Sequence, residues 1–292
     1  MLLPITERVY LVVNEIGFTY SNSLLIDDDI RLLVDSGAGD AMQEANPDSI
    51  DLLLNSHHHI DHIRGNGQLV NAKIMAHPLE AEAMQSLDKL TATVGWPELM
   101  GEDLEMDPAA LNAHFEICGR IDGVFNDKQL FDCGHTQVQI LHTPGHSTGH
   151  CAFWVPEADV VFLGDICLSK VGPWYGGPEA DIDSFVTSIE RIIDLKPGKL
   201  ATGHINYLVQ ENVTEVLTEY RDRIFKREQR ILEHLKRQVA DIHTLADQHY
   251  IYRLHPTPFV LFWEKYMLKK HLERLAKQDR AIEVEPGLYQ AK

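Results

Sequence analysis

Residues 51–62 run Asp-Leu-Leu-Leu-Asn-Ser-His-His-His-Ile-Asp-His, an apolar stretch that leads directly into four histidines and a second aspartate. The apolar residues 52–54 predict a short buried strand. The turn that follows carries imidazole and carboxylate groups that can converge on one centre, namely His57, His59, Asp61 and His62. A solvated, histidine-rich surface loop would look the same, so this stretch alone leaves both interpretations open.

Three later stretches each place one more metal-ligating side chain after a strand-like run. His146 ends the motif Thr-Pro-Gly-His, Asp165 follows an apolar run and a glycine, and His204 ends Thr-Gly-His. Loops that leave a rigid strand are common positions for functional residues. The four stretches together therefore favour a metal site over an accidental cluster of histidines.

In this order, the motifs HxHxDH, PGH, GD and GH resemble those of the metallo-β-lactamase superfamily, over residues of about 9–207. The resemblance implies an α/β fold, an αββα sandwich with a two-metal site at one edge of the paired sheets. The first implied metal site consists of His57, His59 and His146. The second consists of Asp61, His62 and His204, and Asp165 bridges the two. Nitrogen and oxygen ligands suit zinc, and also iron or manganese.

The implied chemistry is metal-assisted hydrolysis. Two divalent cations lower the pKa of a shared water and supply hydroxide near neutral pH. We expect this metal-bridging hydroxide to attack a small ester, thioester or lactone, with Asp61 as the catalytic residue that orients the nucleophile or accepts its proton. Replacement of Asp165 by alanine should remove metal and activity together. Replacement of His58 should leave the metal content nearly unchanged, because adjacent side chains on an extended turn diverge.

Several members of the superfamily fit the sequence less well. The main dizinc β-lactamases carry cysteine at the position of Asp165, and flavodiiron proteins carry glutamate at that of His59. Glyoxalase II shares the ligand pattern, but its basic glutathione-binding signature is not found in the C-terminal region. An endoribonuclease that cleaves single-stranded RNA is the alternative function. A ligand-sensing, DNA-binding regulator is an alternative of another class, which the complete ligand set argues against.

The sequence divides into two regions. Residues 1–207 form the expected catalytic domain, in which residues 91–126 resemble an insertion that is either a surface excursion or a lid. Residues 208–292 contain long helical patterns at 212–237 and 258–278 and a hairpin pattern at 280–291, which together resemble a winged helix. Helices of this kind could also form the contact of a homodimer.

The charge of the chain is uneven and bears on its partners. The 292 residues carry a formal net charge of −18, and residues 208–292 hold 15 Lys and Arg against 13 Asp and Glu, a balance of +2. A nucleic-acid-binding face should show a clear basic excess. The sequence therefore favours a small-molecule substrate over nucleic acid.

Other features bear on localisation and on the surroundings of the site. The four cysteines lack paired CxxC spacing, and the sequence shows neither a basic leader nor an apolar run of about 20 residues. We therefore expect a cytoplasmic protein that does not interact with membranes. Trp174 and Tyr175 either line the substrate pocket or pack in a glycine-rich turn, while Asp35, His142 and His150 are expected to support the ligands.

Overall fold

The structure, a computed structural model, describes residues 1–17, 19–93, 95 and 117–292. Short runs of Val, Leu and Ile form two sheets, the first with seven strands that lie in chain order and the second with five whose spatial order runs from the last strand in the chain to the first. The first sheet comprises β1 (Leu2–Pro4), β2 (Val9–Val12), β3 (Ser23–Ile26), β4 (Leu32–Val34), β5 (Leu52–Leu54), β6 (Lys73–Ala76) and β7 (Gly123–Val124). The second comprises β8 (Leu130–Asp132), β9 (Gln137–His142), β10 (Cys151–Val155), β11 (Val160–Phe162) and β12 (Lys199–Ala201).

The two sheets pack face to face because successive side chains of a strand point to opposite faces. Leu24 and Ile26 of β3 share a buried cluster with Phe153 of the second sheet. Leu25, between them in sequence, belongs to a second cluster with Met42 on the outer face of the first sheet. Each sheet is therefore buried on both faces, as expected for the middle layers of a four-layer sandwich.

Helices cover the outer faces of the sheets. The helices are α1 (Ile60–Ile63), α2 (Pro78–Gln85), α3 (Leu87–Thr93), α4 (Ile182–Leu195), α5 (Val213–Arg237), α6 (Ile242–Ala246) and α7 (Pro258–Lys277). Phe185 and Ile189 of α4 pack with Val161 and Leu200 of the second sheet. The predicted αββα architecture is confirmed. Within the described residues, no helix has both the length and the apolar character needed to cross a bilayer.

The C-terminal region packs closely against the sandwich. It consists of α5, α6, α7 and a hairpin of β13 (Ala281–Glu285) and β14 (Leu288–Ala291). Leu217 and Tyr220 of α5 lie in the same buried cluster as Phe185 of α4. Lys270 of α7 donates to the carbonyl of Pro178 at 2.8 Å. The helical C-terminal region is confirmed, while its winged-helix assignment and the division at residue 207 stay predictions.

Some elements differ from the sequence-based expectation. Apolar residues at helical spacing over residues 79–90 predict one helix, but the structure has two, because Ser86 after α2 has an extended backbone, with φ −135° and ψ 120°. The strands β1, β7 and β8 were not predicted, since each carries at most two consecutive apolar residues. Within residues 91–126, the candidate lid, Gly123–Val124 pairs with β6 as part of the first sheet. Residues 94 and 96–116 of that segment lie outside the described residues.

Candidate metal centre

The seven predicted ligand residues come together at one edge of the sandwich. Each of them follows a strand: the segment after β5, which includes α1, carries the first four, and the loops after β9, β11 and β12 carry one each. Because the strand ends lie side by side, residues far apart in sequence become neighbours. The seven are His57, His59, Asp61, His62, His146, Asp165 and His204.

The first group gathers around His146. Its Nε2 atom lies 3.2 Å from Nε2 of His57 and 2.9 Å from Nδ1 of His59. Oδ2 of Asp165 lies 3.2 Å from the same nitrogen. These three imidazoles and one carboxylate offer four ligand atoms that all lie within 4.8 Å of one another.

The second group gathers around the other oxygen of Asp165. Oδ1 of Asp165 lies 2.9 Å from Nε2 of His62 and 3.0 Å from Nε2 of His204. Oδ2 of Asp61 lies 3.3 Å from the His204 nitrogen. The two carboxylate oxygens of Asp165 thus face different groups, which is the geometry of a bridging ligand.

The donor atoms are better suited to coordinating divalent cations than to hydrogen bonding with one another. Among the described residues, Nε2 of His62 and Oδ1 of Asp165 are buried and make no aligned hydrogen bond. Buried polar atoms without partners are costly, and a cation would satisfy both. Imidazole nitrogens and carboxylate oxygens are also the ligands that zinc, iron and manganese accept.

The pKa values of the ligand residues favour metal binding. Burial, together with neighbouring imidazoles, lowers the pKa of His57 and His59 well below the ordinary histidine value. Their rings are therefore neutral near pH 7 and keep a lone pair for coordination. Burial raises the pKa of Asp61, but His62 and His204 outweigh it and lower that pKa to about 2, so the carboxylate is ionised.

His62 differs from the first group. Burial lowers its pKa, but the carboxylates of Asp165 and Asp35 outweigh burial and raise it to about 10. Without a cation the ring therefore holds a proton, which a metal ion would displace on binding. We therefore expect metal uptake by the second group to release a proton.

Two further residues hold the ligand loops in place: Asp35, as the resemblance implied, and His150. Asp35 accepts from Nδ1 of His62 at 2.7 Å and from the backbone N–H and hydroxyl of Ser56, each at 2.7 Å. Nε2 of His150 accepts the backbone N–H of Asp165 at 3.0 Å. His142 instead stacks on His77, with ring centroids 4.4 Å apart. Asp35 and His150 therefore fix the orientation of His62 and Asp165.

Glu80 is a supporting residue that the sequence analysis missed. Its buried carboxylate accepts from the backbone N–H of His58 at 3.0 Å, from Ser147 Oγ at 2.7 Å and from Gly149 N at 2.6 Å. It also bonds Nδ1 of His58, so that ring points away from both ligand groups as expected. Glu80 lies in an ordinary helical pattern, which gives no signal of this role.

The two aromatic residues considered for the substrate pocket have different surroundings. The half-buried ring of Trp174 lies 5.6 Å from the His59 ring and 5.2 Å from the His146 ring. Tyr175, by contrast, is fully buried, and its hydroxyl bonds Nε2 of His271 at 2.7 Å. The Tyr175 side chain is therefore enclosed by its neighbours and does not line an open pocket.

A fold with two sheets between helical layers, and a histidine and aspartate cluster at its edge, defines a class of metal-dependent hydrolases. The family model of the metallo-beta-lactamase superfamily matches residues 16–204. The chain belongs to this superfamily, as the resemblance implied, and is a metal-dependent hydrolase.

Individual relatives extend the similarity beyond that segment. The beta-lactamase-like protein 2 homolog of Drosophila melanogaster is 27% identical over 86% of this chain and 80% of its own length. A hydroxyacylglutathione hydrolase of Brucella ovis is 27% identical over 63% of this chain and 58% of its own length. A solved metallo-beta-lactamase family protein of Thermus thermophilus has a TM-score of 0.77 and 20% identity, covering 99% of this chain and 100% of that protein.

Proposed function

We propose that this protein hydrolyses a small thioester, ester or lactone with two divalent metal ions. The observation that carries the proposal is the bridging geometry of Asp165, whose two oxygens face separate groups of ligand atoms. When bound, two cations would lower the pKa of a shared water and supply hydroxide near neutral pH. Zinc is the proposed metal, with iron and manganese as alternatives.

Chain residues would supply the remaining parts of the reaction. His57, His59 and His146 would hold one ion, and Asp61, His62 and His204 the other. Asp61 is the proposed catalytic residue, since its ionised carboxylate also lies within the second group and can orient the nucleophile or accept its proton. Trp174, beside the rings of two proposed ligands, would contact the apolar part of the substrate.

A thioester is the favoured substrate within the proposed range. The Brucella relative is a hydrolase of a hydroxyacyl derivative of glutathione, in which the acyl group is bound through sulfur. The basic glutathione-binding signature of glyoxalase II is not found in the C-terminal region of this sequence, so the proposal concerns the thioester bond and not the glutathione part.

The test compares three substrate classes on one metal-loaded preparation. Zinc-, manganese- or iron-loaded protein is incubated with acyl thioesters, aryl esters and acyl lactones, and thiol, phenol or acid release is followed. We expect thioester hydrolysis that Asp165→Ala abolishes together with metal content. Asp247→Ala, a change of an exposed aspartate that belongs to none of the groups of possible ligands, should retain two metal ions and full activity.

A single-stranded RNA substrate is the alternative outcome of the same test. End-labelled RNA is incubated with the metal-loaded protein and with Asp61→Ala. RNA cleavage that Asp61→Ala abolishes, without hydrolysis of any small substrate, would contradict the small-molecule proposal and identify an endoribonuclease.

The packing of α7 argues against the DNA-binding regulator. In a winged helix, the helix before the hairpin would enter the DNA groove. Here Lys270 of α7 donates to the carbonyl of Pro178, and Arg274 bonds Asp183 at 2.7 Å and also Glu228. Two of its basic side chains are thus engaged within the protein. We propose instead that the C-terminal region supports the catalytic domain or forms a homodimer contact in a cytoplasmic enzyme.

A further inference from the structure

The C-terminal helix α5 reaches into the loop that precedes α4. Arg227, which is only 5% exposed, donates from Nη1 to the carbonyl of Pro173 at 2.8 Å and from Nη2 to the carbonyl of Val171. Gly172 between them has a φ of +100°, and a Cβ there would lie 3.1 Å from Nη2. Residues 171–175, here called the arginine-bound loop, therefore fold closely around one buried guanidinium.

The same loop is fixed at its far end by a second buried contact. Nη1 of Arg227 also donates to the Tyr175 hydroxyl at 2.9 Å. That hydroxyl lies 2.7 Å from Nε2 of His271 on α7. Because burial lowers the pKa of His271, its neutral ring can accept a hydrogen bond from the tyrosine hydroxyl. Two C-terminal helices thus hold both ends of the arginine-bound loop.

Trp174 lies between these two ends and contacts the proposed metal centre through its backbone carbonyl. The carbonyl of Trp174 lies 3.1 Å from Nδ1 of His146, so the ring donates its Nδ1–H to this carbonyl. This bond fixes the tautomer in which Nε2 is free to coordinate, and Nε2 is the atom that faces His57, His59 and Asp165.

We propose that Arg227 is a positioning residue for the metal centre, which acts through the arginine-bound loop to orient His146. The inference rests on the proposed function, because it takes His146 to be a ligand. It assigns the C-terminal region an indirect part in the metal site, through the arginine-bound loop. The three hydrogen bonds of the Arg227 guanidinium go to Val171, Pro173 and Tyr175, and none of them reaches a proposed ligand or the ring of Trp174.

The experiment measures zinc affinity, which needs no substrate. Metal-free protein is titrated with zinc against a chromophoric chelator, so that the two binding steps are resolved. Arg227→Met retains the apolar stem but removes all three hydrogen bonds. We expect its affinity for one zinc ion to fall about tenfold or more, the range found when partners of metal-bound histidines are removed, with the other ion unaffected.

The matched control is another arginine of the same helix. Arg230 donates to the carbonyl of Tyr250 at 3.4 Å, within the C-terminal region, and Arg230→Met should leave both zinc affinities unchanged. His146→Ala identifies the affected ion, because it should lose that ion outright. Adding Arg227→Met to His146→Ala should then cause no further loss, since both changes act on one interaction.

Each outcome supports or overturns a defined statement. If His146→Ala keeps both zinc ions, the ligand set and the proposed function are wrong. If His146→Ala loses one ion while folded Arg227→Met binds both with parental affinity, this inference alone is wrong. If Arg227→Met fails to fold, Tyr175→Phe, which removes only one hydroxyl, tests the same inference. It should weaken the same ion by a smaller factor, and unchanged affinity would overturn the inference.

Discussion

At the scale of single residues, His58 and Glu80 form a buried pair next to the proposed ligands. Both side chains are at most 1% exposed, and the carboxylate also receives the backbone N–H groups of His58 and Gly149. Contact with Glu80 outweighs burial and raises the pKa of His58, and His58 in turn helps to lower the pKa of Glu80 to about 2. The pair therefore joins the loop after β5 to the loop after β9.

This pair makes His58→Ala informative about stability. The ring lies outside both ligand groups, so we expect about two metal ions per chain in the purified variant. The free energy of unfolding should nevertheless fall by roughly 3 kcal/mol, because the change leaves a buried carboxylate without its partner. Chemical denaturation and metal analysis of one preparation measure both quantities.

His58→Ala combined with Glu80→Gln serves as the control. The neutral glutamine no longer needs a cationic partner, so the double variant should regain part of the lost stability. A His58→Ala protein that loses one metal ion while remaining folded would show that His58 is itself a ligand.

At the scale of elements, α4 forms the support on which the loop after β9 lies. The backbone N–H of Asp181 donates to Gly145 O at 3.0 Å, and Ser188 Oγ donates to Pro144 O at 2.7 Å. Gly145 has a φ of +130°, and a Cβ there would lie 2.3 Å from the backbone of Phe185. The glycine of the PGH motif is thus required by the close approach of the loop to α4.

Gly145→Ala should therefore act on both stability and metal binding. The clash must move the loop away from α4, and His146 follows Gly145 directly, so we expect a loss of several kcal/mol or more and weaker binding of one metal ion. Gly287→Ala is the matched control, since φ is +76° there and no atom lies within 4 Å of the added Cβ. It should cost only about 1 kcal/mol and leave metal affinity unchanged. Thermal unfolding and zinc titration distinguish the two variants.

The sequence predicts elements unevenly, and the reason is physical. The strands that precede ligands at residues 52–54 and 160–163 are apolar runs bounded by polar residues, so they were predicted. By contrast, β1 and β8 hold only two consecutive apolar residues and precede no ligand, so the sequence shows no signal for them. The ligands themselves lie in motifs and could be found from sequence. Glu80 and Arg227 could not, because their partners are neighbours only in space.

At the scale of the whole molecule, Glu228 links the C-terminal elements to one another. Its carboxylate bonds Arg274 of α7 and accepts from Arg280 at 2.7 Å, just before the hairpin. Burial raises the pKa of Glu228, but contacts with His271 and Arg274 outweigh it and lower that pKa to about 2. The ionised carboxylate is therefore favoured by the folded state.

The stability of the protein should depend on this carboxylate in acid. Because the folded pKa lies below the unfolded value of about 4.3, the contribution of Glu228 is complete above about pH 5 and is lost as the pH falls towards 2. Glu228→Gln should thus be less stable than the parent at pH 7, and the difference should shrink between pH 5 and pH 2. Exposed Glu285→Gln should follow the parent curve throughout. A Glu228→Gln difference that is constant over this range would contradict the assignment.

The placement of the proposed ligands also determines when a metal ion can bind during folding. The first and last of them, His57 and His204, are separated in sequence by two strands of the first sheet and all five strands of the second. The ends of such a long loop come together only after the strands have paired. We therefore expect the cation to bind a nearly folded chain and not to start its folding. Chelation should then yield an inactive chain that keeps its secondary structure, and a newly made molecule would await its metal as a folded acceptor.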